Sequence, residues 1–211
     1  MKLKHAVICV TAVLLAAGCF NTATVRYAVD DVIWTPRTDI GRAFHDRHAE
    51  DLRSVVSSVQ ESPQLSPVAT IEKAGLSLNY RVGDANDTTY YLGLHLTCTG
   101  IFNTLRTTYQ SRAASSYSSV LFPLAVILTK HASLFGEDEA RGVYLWLDWK
   151  ATDFLRDEYR LFSQTEGMNA WIPDSTLFGF AKMKMSIQEL ARQSAFTSSM
   201  GRTELDFSNT H

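Results

Sequence analysis

Apolar positions recur along the chain with two different periods, and the switches between those periods outline the fold. Over residues 39–59, Ile40, Phe44, Leu52, Val55, Val56 and Val59 recur at steps of three and four, which predicts a helix with one buried stripe. Gly41 weakens its start by about 1 kcal/mol relative to Ala. Over residues 76–82, Leu76, Leu78, Tyr80 and Val82 alternate with polar side chains, and Tyr90, Leu92, Leu94 and Leu96 alternate again after Gly83, Asn86 and Asp87. That is a β-hairpin with one buried face and turn residues between its strands. Residues 142–149 form a nearly continuous apolar run and read as a central strand.

The remaining segments carry weaker patterns. Residues 25–34 read as a strand interrupted by Asp30 and Asp31 and closed by Thr35-Pro36. Residues 60–70, with Pro63 and Pro67, read as a loop. Residues 101–112 and 153–162 read as helices, and 169–172 and 180–186 as strands. Residues 115–135 predict a buried helix, bent or started near Pro123 and stopped by Gly136, with a strand followed by a helix as the alternative. Ser186-Ile187-Gln188-Glu189 has the form of a capping box opening a last helix, in which Ile187, Leu190 and Ala191 face inward. The sum is an α+β fold: a mainly antiparallel sheet of about five or six strands covered by three to five helices on one side. Residues 27–196 form one domain and 197–211 a polar, frayed tail.

The N-terminus follows a different rule. Lys2 and Lys4 precede an uncharged apolar run over residues 6–17, which ends in Leu15-Ala16-Ala17-Gly18-Cys19. About a dozen apolar residues is the length of a signal-peptide core. A spanning helix needs about 20. The ending resembles the lipobox of bacterial lipoproteins, in which small residues precede an invariant cysteine. Three places before the cysteine the family most often has Leu; here Ala16 stands there, with Leu15 one place earlier. The resemblance covers only the leader and Cys19. It implies cleavage between Gly18 and Cys19 and lipidation of Cys19. Residues 1–18 would then be the signal peptide and 19–26 a short tether holding the domain close to a membrane face. Phe20 follows the cysteine, and the lipoprotein sorting rule then favours the outer membrane over the inner.

Composition narrows the function classes. Removing 18 residues from 211 leaves 193, enough for one domain with a core. With 11 Phe, 8 Tyr and 4 Trp, the chain reads as globular and not disordered. Without Lys2 and Lys4, 18 basic residues face 22 acidic ones, a net of −4 that argues against a nucleic-acid partner. Cys9 leaves with the leader and Cys19 takes the lipid, so Cys98 alone remains as a thiol and no internal disulfide forms. No cofactor is implied.

Candidate chemistry is sparse. His45 and His48, three apart on the predicted helix, are candidate metal ligands, although His48 falls on the apolar stripe between Phe44 and Leu52. His95 and Cys98 suggest a base and a nucleophile, but three residues apart on a strand they point to opposite faces. No Gly-x-Ser-x-Gly elbow is present, and the carboxylate pairs Asp30-Asp31 and Asp157-Glu158 sit in charged surroundings. Tyr144 and Trp146 share one face of the strand, opposite Leu145, Leu147 and Trp149. The run predicts that both faces are covered and all five are core. The alternative is an aromatic platform for a glycan or an envelope protein. The functional expectation is a membrane-anchored envelope lipoprotein acting as a non-enzymatic binding or assembly module. The alternative is a membrane-tethered hydrolase with an unrecognised site, for which a metal at His45 and His48 is one candidate.

Overall fold

The computed structural model describes residues 25–82, 88–155, 163–198, 201–203, 205 and 207. The leader, Gly18, Cys19, the turn at Gly83 and most of the helix expected over residues 153–162 lie outside the described residues. Asp153, Phe154 and Leu155, at the start of that expected helix, are not helical.

The hairpin pattern is realised as two long antiparallel strands, β1 (Ala69–Val82) and β2 (Thr88–Asn103). The apolar run becomes β3 (Gly142–Thr152), and β4 is Gln164–Pro173. β5 (Ala195–Ser198) and the two-residue β6 (Gly201–Arg202) complete a six-stranded sheet in the order β1-β2-β3-β4-β5-β6. Every pairing is antiparallel except β2–β3, which is parallel. A parallel pair needs a crossover. The crossover carries a helix over Tyr109–Thr129, numbered α3 below.

Chain order starts with α1 (Val29–Val32) and α2 (Asp39–Glu61). After α3 come α4 (Asp174–Ala181) and α5 (Ile187–Arg192). All five contribute to one core, from Val32 through Phe44, Leu52, Tyr117, Leu121, Leu177 and Phe180 to Leu190. Against them pack Leu92, Leu94 and Leu96 of β2, Val143, Leu145, Leu147 and Trp149 of β3, and Met168, Ala170 and Ile172 of β4. These strand residues are alternate positions, so they occupy one face of the sheet. The sequence-derived class, an α+β domain with one face of the sheet covered by helices, holds.

Local chemistry explains the helices. Thr38 caps α2 by accepting from the Gly41 N–H at 3.1 Å. Gly41 is more than a weak helix former: a Cβ there would lie 2.9 Å from the Pro36 Cβ. Ile40, expected on the buried stripe, is exposed instead. Thr108 caps α3 by accepting from Ser111 N–H at 3.2 Å. Ser186 and Glu189 form the reciprocal capping box expected for α5.

Five expectations are corrected. Residues 25–34 are not a strand. Asp30 and Asp31 stand in the first turn of α1, where acidic side chains complement the helix dipole, and only Ile33 bridges to Leu76. Residues 101–112 are not one helix: Ile101 and Phe102 still pair with Lys150 and Ala151, and helix begins at Tyr109. Pro123 neither starts nor interrupts α3, which runs through it. Residues 180–186 are not a strand: Phe180 and Ala181 close α4, with Phe180 buried, and turns and bends follow. Residues 197–211 are not simply a frayed tail, since Thr197 pairs with Asn169 of β4 and Leu205 and Phe207 are buried.

Candidate functional site

With the helices on one face, the other face of the sheet is left to polar and aromatic side chains. Ser77 and Asn79 of β1, Tyr91, Gly93, His95 and Thr97 of β2, Tyr144, Trp146, Asp148 and Lys150 of β3, and Gly167, Asn169 and Trp171 of β4 share it by register. Trp149, on the opposite face, is fully buried. The expectation that all the aromatics of β3 are core therefore holds for Trp149 and fails for Tyr144, which is half-buried, and Trp146, which is 43% exposed.

Trp146 is the centre of the face. Parallel pairing sets it beside His95, and the two rings stack at 4.2 Å with 10° between their planes. Its indole Nε1–H donates to Asp148 Oδ1 at 2.9 Å, while Asp148 Oδ2 lies 2.9 Å from His95 Nε2. One carboxylate thus ties an imidazole and an indole together. Gly167 makes that possible, because a Cβ there would collide with Asp148 Oδ1. A second group, Tyr91, Trp171 and Tyr144, continues the band, with Trp171 4.3 Å from Tyr144 and 5.0 Å from Tyr91 between ring centres.

A cavity of about 220 Å³ opens between Trp146 and the edge of the sheet. Tyr144, Trp146 and Trp34 supply its rings, and Ser77, Asn79 and His95 its polar groups. Two backbone features shape it. The β1–β2 register shifts between Ile71 and Leu76, and Ala74 there takes a left-handed φ of 53°. Beyond the bulge the Trp34 N–H donates to Leu76 O at 2.8 Å, which holds the Trp34 ring at the rim. Gly93 leaves the floor low, since a Cβ there would collide with Asn79 Nδ2. The Asn79 amide in turn donates to Ser77 Oγ at 2.8 Å.

The other sequence candidates are not brought together. His45 Nδ1 lies 3.3 Å from Asp46 Oδ1 on the exposed side of α2. His48 is buried, sits at a kink in α2 with φ −115° and ψ 18°, and turns its Nε2 to within 2.9 Å of Glu139 Oε2. That contact has the distance of an ion pair but not the alignment of a hydrogen bond. Each histidine of the proposed pair therefore has its own carboxylate. Among the described residues no group of three or more His, Cys, Asp or Glu is placed to hold a metal ion.

Cys98 is buried on the helix side, with its thiol pushed up to about 12 by burial, and His95 is on the open side. The base-and-nucleophile pairing is thereby excluded. Asp148, Trp34, Ser77 and Asn79 were not singled out by sequence. The signal for the last two was the alternation of β1, but what places Asp148 on His95 is the long-range parallel pairing of β2 and β3, which no local pattern encodes. Comparison with protein-family models, with curated proteins and with solved structures finds no match.

Proposed function

We propose that the chain is a lipid-anchored envelope lipoprotein whose domain is a non-enzymatic binding module, working through the open face of its sheet. The observation that carries the binding part is the uncovered aromatic face itself. A sheet with one solvated side ordinarily presents polar residues there. This one presents Trp146, held by its stacking on His95 and its hydrogen bond to Asp148, and Tyr144 and Trp171, packed on each other, with Trp34 at its rim. Rings fixed before a ligand arrives lose little conformational entropy when it binds. The anchoring part is supported by the lipobox-like leader ending at Cys19. Among the described residues no helix is long and apolar enough to cross a membrane.

The arrangement favours binding over catalysis. His95 Nε2 is engaged by Asp148, and the Ser77 hydroxyl accepts from Asn79. An activated serine would instead need to donate to a base.

The test is site-specific photo-crosslinking in cells. A benzophenone amino acid at position 144 is expected to trap a discrete product, and the same group at exposed position 40, on the opposite layer, is expected to trap none. Equal products at both positions, or none at 144, would overturn the reading.

A further inference from the structure

We infer that the cavity on the open face takes one pyranose ring of a neutral saccharide, stacked on the aromatic rings and hydrogen-bonded by Ser77, Asn79 and His95. The inference rests on the open face being the working surface and names the ligand class.

Three observations point to that class. The first is the pairing of rings with neutral polar groups. The face of an indole or phenol is the negative end of its quadrupole. A pyranose offers that surface a sheet of C–H groups polarised by their oxygens, and offers its rim as hydroxyls. Trp146, Tyr144 and Trp34 meet the first need, and the Ser77 hydroxyl, the Asn79 amide and the His95 imidazole the second. Trp146 already carries His95 on one face and still exposes 43% of its surface.

The second is charge. Both oxygens of the neighbouring Asp148 are engaged, by His95 and by Trp146, and among the described residues none lining the cavity is Asp or Glu. Among the described residues, none lining the cavity is Lys or Arg. A phosphorylated or carboxylated ligand would be buried without a partner cation, and a cationic one without a free carboxylate. A neutral ligand incurs neither penalty.

The third is size. A cavity of about 220 Å³ lies below the usual range for whole small-molecule ligands, roughly 300–1,000 Å³. It suits one ring of a longer chain, and the Tyr144–Trp171–Tyr91 band runs on from its edge to support the next. A folded protein partner would instead need about 800 Å² on its own side of the interface.

Isothermal titration calorimetry on the full chain, purified in detergent, tests this with tetraoses of β-linked N-acetylglucosamine, β-linked glucose and α-linked glucose. Co-sedimentation with purified peptidoglycan sacculi separates a cell-wall glycan from a free oligosaccharide. At least one of these probes is expected to bind saturably. Trp146→Ala and Asn79→Ala are each expected to weaken it by roughly tenfold or more. Ile40→Ala is expected to leave it unchanged, and circular dichroism should show all three variants folded. Failure of every saccharide and of sacculi to bind would overturn the proposal, as would binding that survives Trp146→Ala. If the saccharides fail while the crosslinker at position 144 traps a protein, the ligand class falls and the working face stands. If both fail, both fall.

Discussion

At the scale of single residues, the open face depends on what is missing as much as on what is present. Gly93 leaves room for the Asn79 amide, and Gly167 for the Asp148 carboxylate. Gly93→Ala is expected to push aside both the Asn79 amide and the Ser77 hydroxyl and break the bond between them, with a stability loss of about 1 kcal/mol by denaturant melts. Saccharide affinity should fall all the same, and unchanged affinity would show that the cavity floor plays no part. On the other face, the buried Arg112 and the partly buried Glu166 form a two-pronged ion pair, joined by the Trp149 indole N–H at 2.8 Å. Burial raises the Glu166 carboxyl, but the Arg112 and Trp149 bonds outweigh it and hold the group below the ordinary glutamate value. A carboxylate depressed in the folded state adds stability above its unfolded pKa, and that stability is lost as pH falls through the folded value. The domain is therefore expected to weaken as pH falls below the ordinary glutamate range. Glu166→Gln should cost about 3 kcal/mol at neutral pH, because it leaves Arg112 buried without its charge partner. Thermal melts of the variant should also show a flatter acid limb; an unchanged melting temperature at neutral pH would contradict the assignment. None of these residue pairs was legible in the sequence, since Arg112 and Glu166 lie on α3 and β4 and meet only through the tertiary fold.

At the scale of elements, legibility followed length and periodicity. The periodicity over residues 39–59 marks α2 almost to its ends, the alternation over 76–82 and 90–96 marks only the turn-proximal halves of β1 and β2 and leaves their far ends to an expected loop and helix, and the capping box marks α5 from four residues. α1, α4 and β5 hold four, eight and four residues, too few for a period to emerge from the background. The C-terminal segment was misread for a related reason: Leu205 and Phe207 are single apolar residues in polar company, buried only because the tail returns to the core. Truncation after Ser194 removes Phe196, Leu205 and Phe207 from that core and uncovers the edge of β4. Fully burying such side chains contributes about 1.5–3 kcal/mol each. That sum rivals the 5–15 kcal/mol total of a typical domain. The truncated chain is expected to be insoluble or unfolded by circular dichroism; a soluble, cooperatively melting product would show that the tail is dispensable. Pro123 lies within α3, where it withholds a hydrogen-bond donor from the helix ladder. Pro123→Ala is expected to raise the denaturation midpoint, by up to about 3 kcal/mol in stability. A loss of stability would mean that the proline ring itself is needed for packing.

At the scale of the whole molecule, the sheet separates two tasks. One face joins five helices in a single core, and the other holds a preset band of aromatic rings. The fold class and the one-sided covering could be read from alternation. Which side of β3 the helices cover could not, because its run is apolar on both faces; among the described residues the helices pack on the side of Leu145, Leu147 and Trp149, which leaves Tyr144 half-buried and Trp146 exposed. The central claim joins this domain to a lipid at Cys19, and metabolic labelling with a palmitate analogue tests it most directly. The wild-type chain is expected to carry the label and to fractionate with membranes, and Cys19→Ser to lose both. Label that persists in the variant, or that never appears in the wild type, would contradict the account.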